Sequence, residues 1–265
     1  MGGSAVRAAA DDVLEQARKR AAAMLEASVD DIDLVTDDAG VGVFGVAGVP
    51  SVTLTWAQLA TAAETDGEAL AAGLDFQQAG ATFPFGAHVS VVEVDTDTGR
   101  VTPVRHVAVD DCGRVLNPLL VEGQQHGGLA QGIAQALYEE ILFDAEGQPL
   151  TATLADYRMP SAADLITYEA SNTETPTPMN PLGAKGIGES ASVGSTPAVQ
   201  NAVVDALSHL GVRHVDLPCT PERVWRAVQD ARAGTLPDVW REPPTVFATL
   251  PTRAPAAGEA AGGEI

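Results

Sequence analysis

The chain has 265 residues, 45% of them hydrophobic, which is enough for one large or two smaller domains. Its 36 acidic and 15 basic residues give a net charge of −21, which argues against partners that favour basic patches, namely nucleic acid and anionic membrane surfaces. The two cysteines, Cys112 and Cys219, lie far apart and make neither a disulfide framework nor a four-cysteine iron–sulfur site, so any electron relay would sit on another chain. No signal peptide and no apolar run of about 18 residues is evident, and a cytoplasmic protein without a membrane span is expected.

In chain order, apolar residues from Val6 to Leu25 recur at helical spacing and predict a helix over residues 5–27. Ile32 to Val35 and Val52 to Leu54 read as strands, the second followed by Thr55 as the cap of a short helix. Residues 64–85 are polar and glycine-bearing and read as a connector. His88 to Val94 and Val101 to Val109 look like paired strands around an Asp97-Thr98-Gly99 turn. Asn117 can cap a helix opened by Pro118, with apolar positions returning through Tyr138. Tyr168 to Ala170 is a weaker strand. Ser195-Thr196-Pro197 reads as the start of a helix that stops at Gly211. Val212 to Leu217 reads as a strand, and Thr220-Pro221 starts a last helix through Ala231. The pattern predicts a mixed α/β (α+β) fold. After Arg232 a proline-, alanine- and glycine-rich tail shows little periodicity.

Two segments carry candidate chemistry. Gly183-Ala184-Lys185-Gly186-Ile187-Gly188-Glu189 has no helix or strand period and places one carboxylate after three glycines. Glycine lets a backbone approach a ligand closely, and a lone carboxylate held there suits a general base. A solvated surface loop fits the same spacing. Upstream, the helix through Gly123-Gln124-Gln125-His126-Gly127-Gly128 carries four glycines by Gly132, each costing up to about 1 kcal/mol relative to alanine. Either a tightly packed helix contact or a bound ligand explains them. The glutamines offer amide donors and acceptors without charge. His88, His106, His209 and His214 have no zinc-like spacing and read as structural or surface groups, and no metal-ligating set is assigned.

Together these pieces resemble the molybdenum hydroxylase family, the large subunits of the xanthine dehydrogenase, aldehyde oxidase and aerobic carbon monoxide dehydrogenase group. The resemblance rests on ordered motifs: Val109-Asp110-Asp111-Cys112-Gly113 to Pro118, the Gly123 to Glu140 helix, Asp156-Tyr157-Arg158-Met159-Pro160, Thr173 to Pro178, the Gly183 to Glu189 loop, and Gly211 to Trp225. It is fainter over residues 1–60.

The resemblance implies a C-terminal portion of the molybdenum-cofactor-binding domains. Residues 1–63 would be an N-terminally incomplete molybdopterin-binding subdomain, 86–231 the C-terminal subdomain with the catalytic loop, and 232–265 the tail. It makes Glu189 the general base acting on an oxygen carried by molybdenum. Gln124 becomes a cofactor contact, and Gly123, Lys185, Gly186, Gly188 and His126 candidate cofactor-binding residues. It implies molybdopterin, as the cytosine dinucleotide, held jointly with an N-terminal large-subunit chain. Iron–sulfur and FAD groups would sit on partner subunits, and the small-molecule substrate would be of aldehyde, N-heterocycle or carbon monoxide type. In carbon monoxide oxidising members a copper is held by a cysteine in a segment this chain does not contain. The other reading is a non-catalytic truncated remnant or interaction subunit of such a complex.

Overall fold

The computed structural model describes residues 2–77, 79–239 and 245–246. At the N-terminus, α1 (Gly2–Leu25) buries Ala17, Ala21 and Ala22 on one face, as residues one turn apart should. Ile32 of β1 (Ile32–Thr36) and Phe44 of β2 (Gly42–Val46) pack against them, with Leu59 of α2 (Trp56–Thr65) closing the cluster. β1, β2 and β3 (Val49–Thr55) form an antiparallel sheet in that order. The helix expected after Thr55 is present. The Thr55 hydroxyl accepts from the Gln58 N–H, and the Gln58 side chain accepts from the Thr55 N–H, a reciprocal cap.

β2 was not among the expected strands, and β3 begins earlier than Val52. Glycines at 42, 45 and 48 disguise both, because glycine within a strand pattern normally signals a break. Here buried Val43 and Phe44 hold the strand, and Gly48 at φ +80° turns the hairpin.

A second sheet has the order β4 (Phe85–Val94), β5 (Val101–Asp111), β6 (Glu169–Thr173), with β6 parallel to β5. In the turn between β4 and β5 the Asp95 carboxylate accepts from the backbone of Asp97 and Thr98 and from the Thr98 hydroxyl. α3 (Pro118–Leu137) is capped as expected, the Asn117 side-chain oxygen accepting from the Leu120 N–H. α5 (Pro221–Ala233) begins at the Thr220 cap and runs two residues past the expected Ala231, with Gly234 as its C-cap.

Two expectations are corrected. α4 (Ser190–Ala206) starts at Ser190, not at Ser195, and Pro197 lies inside it. The Thr196 hydroxyl does not cap a helix start. It donates to the carbonyls of Ser192 and Gly132, and the Ser195 hydroxyl also points at Ser192. Residues 212–217 form no strand, so His214 is not in one. The Val215 carbonyl is taken by the Gln200 side chain at 2.8 Å, which leaves it no ladder partner. His209 falls in a short 3-10 turn, Ser208–Leu210. Most of the expected tail lies outside the described residues.

The chain divides into two compact units, each assembled from separated segments. One comprises Met1–Val89, His106–Ile133 and Leu165–Thr196; the other comprises Ser90–Arg105, Ala134–Asp164 and the residues from Pro197 onward. Every candidate site residue lies in the first. In it, α3 and α4 approach so closely that a Cβ on Gly128 would lie 2.8 Å from the Ala191 Cβ, and one on Gly132 would overlap the Ser195 hydroxyl. Two of the four helix glycines therefore serve helix packing. In the second unit, a Cβ on Gly99 would collide with the Pro221 carbonyl, and Arg223 pairs with Glu140.

Candidate active site

The site grows from the end of β5. Asp110 and Asp111 are consecutive in a strand, so their side chains leave opposite faces. Both are fully buried. An isolated carboxylate would not tolerate that, and each is surrounded by donors.

Asp111 accepts from the Gly113 N–H at 2.9 Å, the Thr173 hydroxyl at 2.9 Å and the Lys185 ammonium at 3.1 Å. Burial opposes its charge, but these donors, with Thr175, outweigh it and hold the carboxyl well below the usual range. The Lys185 side chain is only 8% exposed, and its ammonium also lies 4.6 Å from the centre of the Phe85 ring. The backbone tightens the same junction. The Lys185 N–H donates to the Cys112 carbonyl, and the Gly183 carbonyl accepts from Arg114 and Thr177. The glycine-rich loop is thereby fastened to the strand end, and Lys185 is its bolt.

On the other face, Asp110 accepts from the Ser190 hydroxyl at 2.8 Å, the Gln125 amide at 3.1 Å and His88 Nε2 at 3.3 Å. Burial again raises and these bonds lower, with a net downward shift. Behind His88, Nδ1 lies 3.4 Å from Nε2 of His106. Burial, aided by His88, pushes the His106 pKa down to about 4.

Glu189 follows the loop and immediately precedes α4. Its carbonyl accepts from the Val193 N–H and the Ser192 hydroxyl, while its side chain is exposed. With Pro84, Phe85, Gly86, His88, Ser190, Val193 and Gly194 it lines a cleft of about 280 Å³. α3 presents Gly123, Gln124, His126 and Gly127 outward. A Cβ on Gly188 would lie 3.4 Å from the Gln124 amide oxygen, so loop and helix meet there. His126 is turned toward Tyr168, the ring centres 5.8 Å apart.

Of the residues singled out from sequence, Gln124 and Gly188 are thus brought together, with Glu189 next in chain. Lys185 directs its charge into Asp111. Asp110, Gln125, His88 and Ser190 had no assigned role. The signal for them was the Asp110-Asp111 pair closing a strand, since two adjacent carboxylates there demand two sets of donors.

The donors suit an organic cofactor. Positions where a Cβ would meet open space at Gly123, Gly127 and Gly186 leave backbone accessible, and Gln124 offers an uncharged amide. Among the described residues, no group of three or more His, Cys, Asp or Glu is arranged to hold a metal ion directly, and no helix is long and apolar enough to cross a membrane.

Comparison with known proteins gives the class. The family model of the molybdopterin cofactor-binding domain matches residues 1–166, which include Gly123, Gln124 and His126. The chain belongs to that family. It is 41% identical over 233 residues to the carbon monoxide dehydrogenase large chain of Hydrogenophaga pseudoflava, covering 86% of this chain and 28% of that one. Its structure superposes on carbon monoxide dehydrogenase from Oligotropha carboxidovorans with a TM-score of 0.80 at 35% identity, covering 88% of this chain and 29% of the other. For quinoline 2-oxidoreductase from Pseudomonas putida 86 the TM-score is 0.74 at 38% identity, with coverages of 82% and 28%. The chain therefore spans under a third of the length of these relatives.

Proposed function

We propose that this chain forms one wall of the molybdopterin site of an oxidoreductase and supplies Glu189 as its general base. The observation that carries this reading is the exposed Glu189 lining a cleft, one residue after Gly188, which meets the Gln124 amide of α3. When bound, the molybdenum cofactor supplies the two-electron acceptor for substrate oxidation. Glu189 takes and holds a proton during turnover. The Gln124 amide orients the cofactor, and Gly123, Gly186 and Gly188 allow close backbone approach. Lys185 acts through Asp111 by holding the loop, and His126, exposed on α3 near Gln124, is a further candidate cofactor contact. The similarity to a carbon monoxide dehydrogenase and a quinoline oxidoreductase supports a small substrate of carbon monoxide, aldehyde or N-heterocycle type.

The remaining lining of the site would come from an N-terminal large-subunit region. The cofactor would be the cytosine dinucleotide form, and iron–sulfur and flavin subunits would carry the electrons away. Isolation of the chain from its host with its partners tests this. Molybdenum together with those three kinds of polypeptide is the expected result. Recovery alone and metal-free would favour the remnant reading.

A further inference from the structure

The reading of Glu189 as the base leaves open what aims it. On its N-terminal side the loop is fastened at Lys185, but nearer the base it is open: a Cβ on Gly186 would meet nothing within 4 Å, and one on Gly188 would meet only the Gln124 side chain. The closer anchorage is on the C-terminal side. Ser190, the first residue of α4, donates its hydroxyl to Asp110, and the Asp110 carboxylate is among the most enclosed groups in the unit.

Two further elements converge on that carboxylate. His88 reaches it from β4 and Gln125 from α3, and Gln125 also donates to the Ser171 carbonyl of β6. The walls admit no extra atom. A Cβ on Gly86 would lie 2.6 Å from the Asp110 oxygen, and one on Gly194 would lie 2.7 Å from His88 Nε2. Both glycines and His88 line the same cleft as Glu189. The node is thus locked by two strands and two helices and sits directly behind the turn that carries the base.

We propose that Ser190 is a positioning residue for Glu189: its hydroxyl, gripped by the buried Asp110 carboxylate, fixes the start of α4 directly after Glu189, whose side chain lines the cleft. This rests on the general-base reading above. A base contributes in proportion to how well its reach is preset, and a displacement of about 1 Å can cost on the order of 100-fold in rate. Removing the hydroxyl frees the turn without touching the carboxylate of Glu189 or the contacts of Gln124.

The test compares Ser190→Ala and Ser190→Thr in the molybdenum-loaded complex, with Glu189→Gln alongside. Ser190→Ala is expected to lower kcat about 10-fold or more while KM stays within about twofold. Ser190→Thr, which keeps the hydroxyl, recovers most of kcat. Hydrogen exchange in the same complexes should quicken several-fold at residues 190–194 of the Ala variant, with α3 unchanged. Wild-type kcat and exchange in Ser190→Ala, beside an inactive Glu189→Gln, would overturn the positioning role and leave the base in place. Failure of Thr to rescue, loss of bound molybdenum, or exchange spreading through α3 would each make Ser190 a general structural residue and overturn the proposal as well. A fully active Glu189→Gln would instead remove the reading beneath it.

Discussion

On α3, Gln125 is 1% exposed and bonded to Asp110 and Ser171, while Gln124 beside it lies open next to Gly123. The same division recurs at the start of α4, where Ser190 turns inward to Asp110 and Glu189 turns outward into the cleft. One residue separates scaffold from presented group in both cases, and within α3 that is a helical step of about 100°. The inner set is satisfied within the chain: charged groups have partners and glycines have neighbours that exclude a Cβ. The outer set is open, with space beside Gly123, Gly127 and Gly186 and an exposed Glu189. Apart from Ser190, which joins the two sets, inner residues should therefore respond to substitution mainly through stability, and outer ones mainly through function.

The largest expected stability effect is at Lys185. Lys185→Met leaves Asp111 buried without its cation, and removal of one partner from a buried pair costs about 3–5 kcal/mol. Denaturant unfolding should show it. A loss below about 1 kcal/mol would place Lys185 with the outer set instead.

Next come the glycines of α3, which should part in sign. Gly132→Ala forces a methyl into Ser195 and should destabilise by about 1–3 kcal/mol. Gly123→Ala meets nothing within 4 Å and should stabilise the isolated chain by up to about 1 kcal/mol, as alanine does in a helix. The same variant should reduce the molybdenum retained by the complex. Equal thermal shifts for the two variants would erase the distinction between the faces.

The smallest effect is a pH dependence. The folded pKa of His106 is lowered from 6.5 to about 4, so the unfolded chain binds more protons between those values. Stability contributed by neutral His106 is therefore complete above about pH 6.5 and declines as pH falls toward 4. His106→Phe should flatten that part of a melting-temperature profile. An unchanged slope would show that His106 is not the group responsible.

Much of this arrangement was legible in the sequence. The capped helices at Thr55, Asn117 and Thr220 were marked by local chemistry, and the strands around Asp97 to Gly99 by alternation and a turn. What misled was chemistry whose partner lies far along the chain. Ser195, Thr196 and Pro197 have the residue types of a helix start, yet their hydroxyls bond back to the preceding turn and across to Gly132. Val212 to Leu217 has strand composition, but a glutamine side chain takes the carbonyl that a neighbouring strand would need. Within the site, the glycines of α3 could not be sorted into packing and exposed positions until α4 was set against them. Only the family resemblance singled out Gln124; residue type could not tell it from Gln125, since which amide faces inward depends on where Asp110 lies.

The central claim, that this chain provides the base of a molybdopterin site, is tested most directly by Glu189→Gln in the molybdenum-loaded complex. The substitution keeps shape and hydrogen bonding while removing the proton acceptor. Molybdenum content should stay near that of the unaltered complex, and kcat should fall by about 10²–10⁴-fold. Turnover at the unaltered rate, with molybdenum present, would contradict the account.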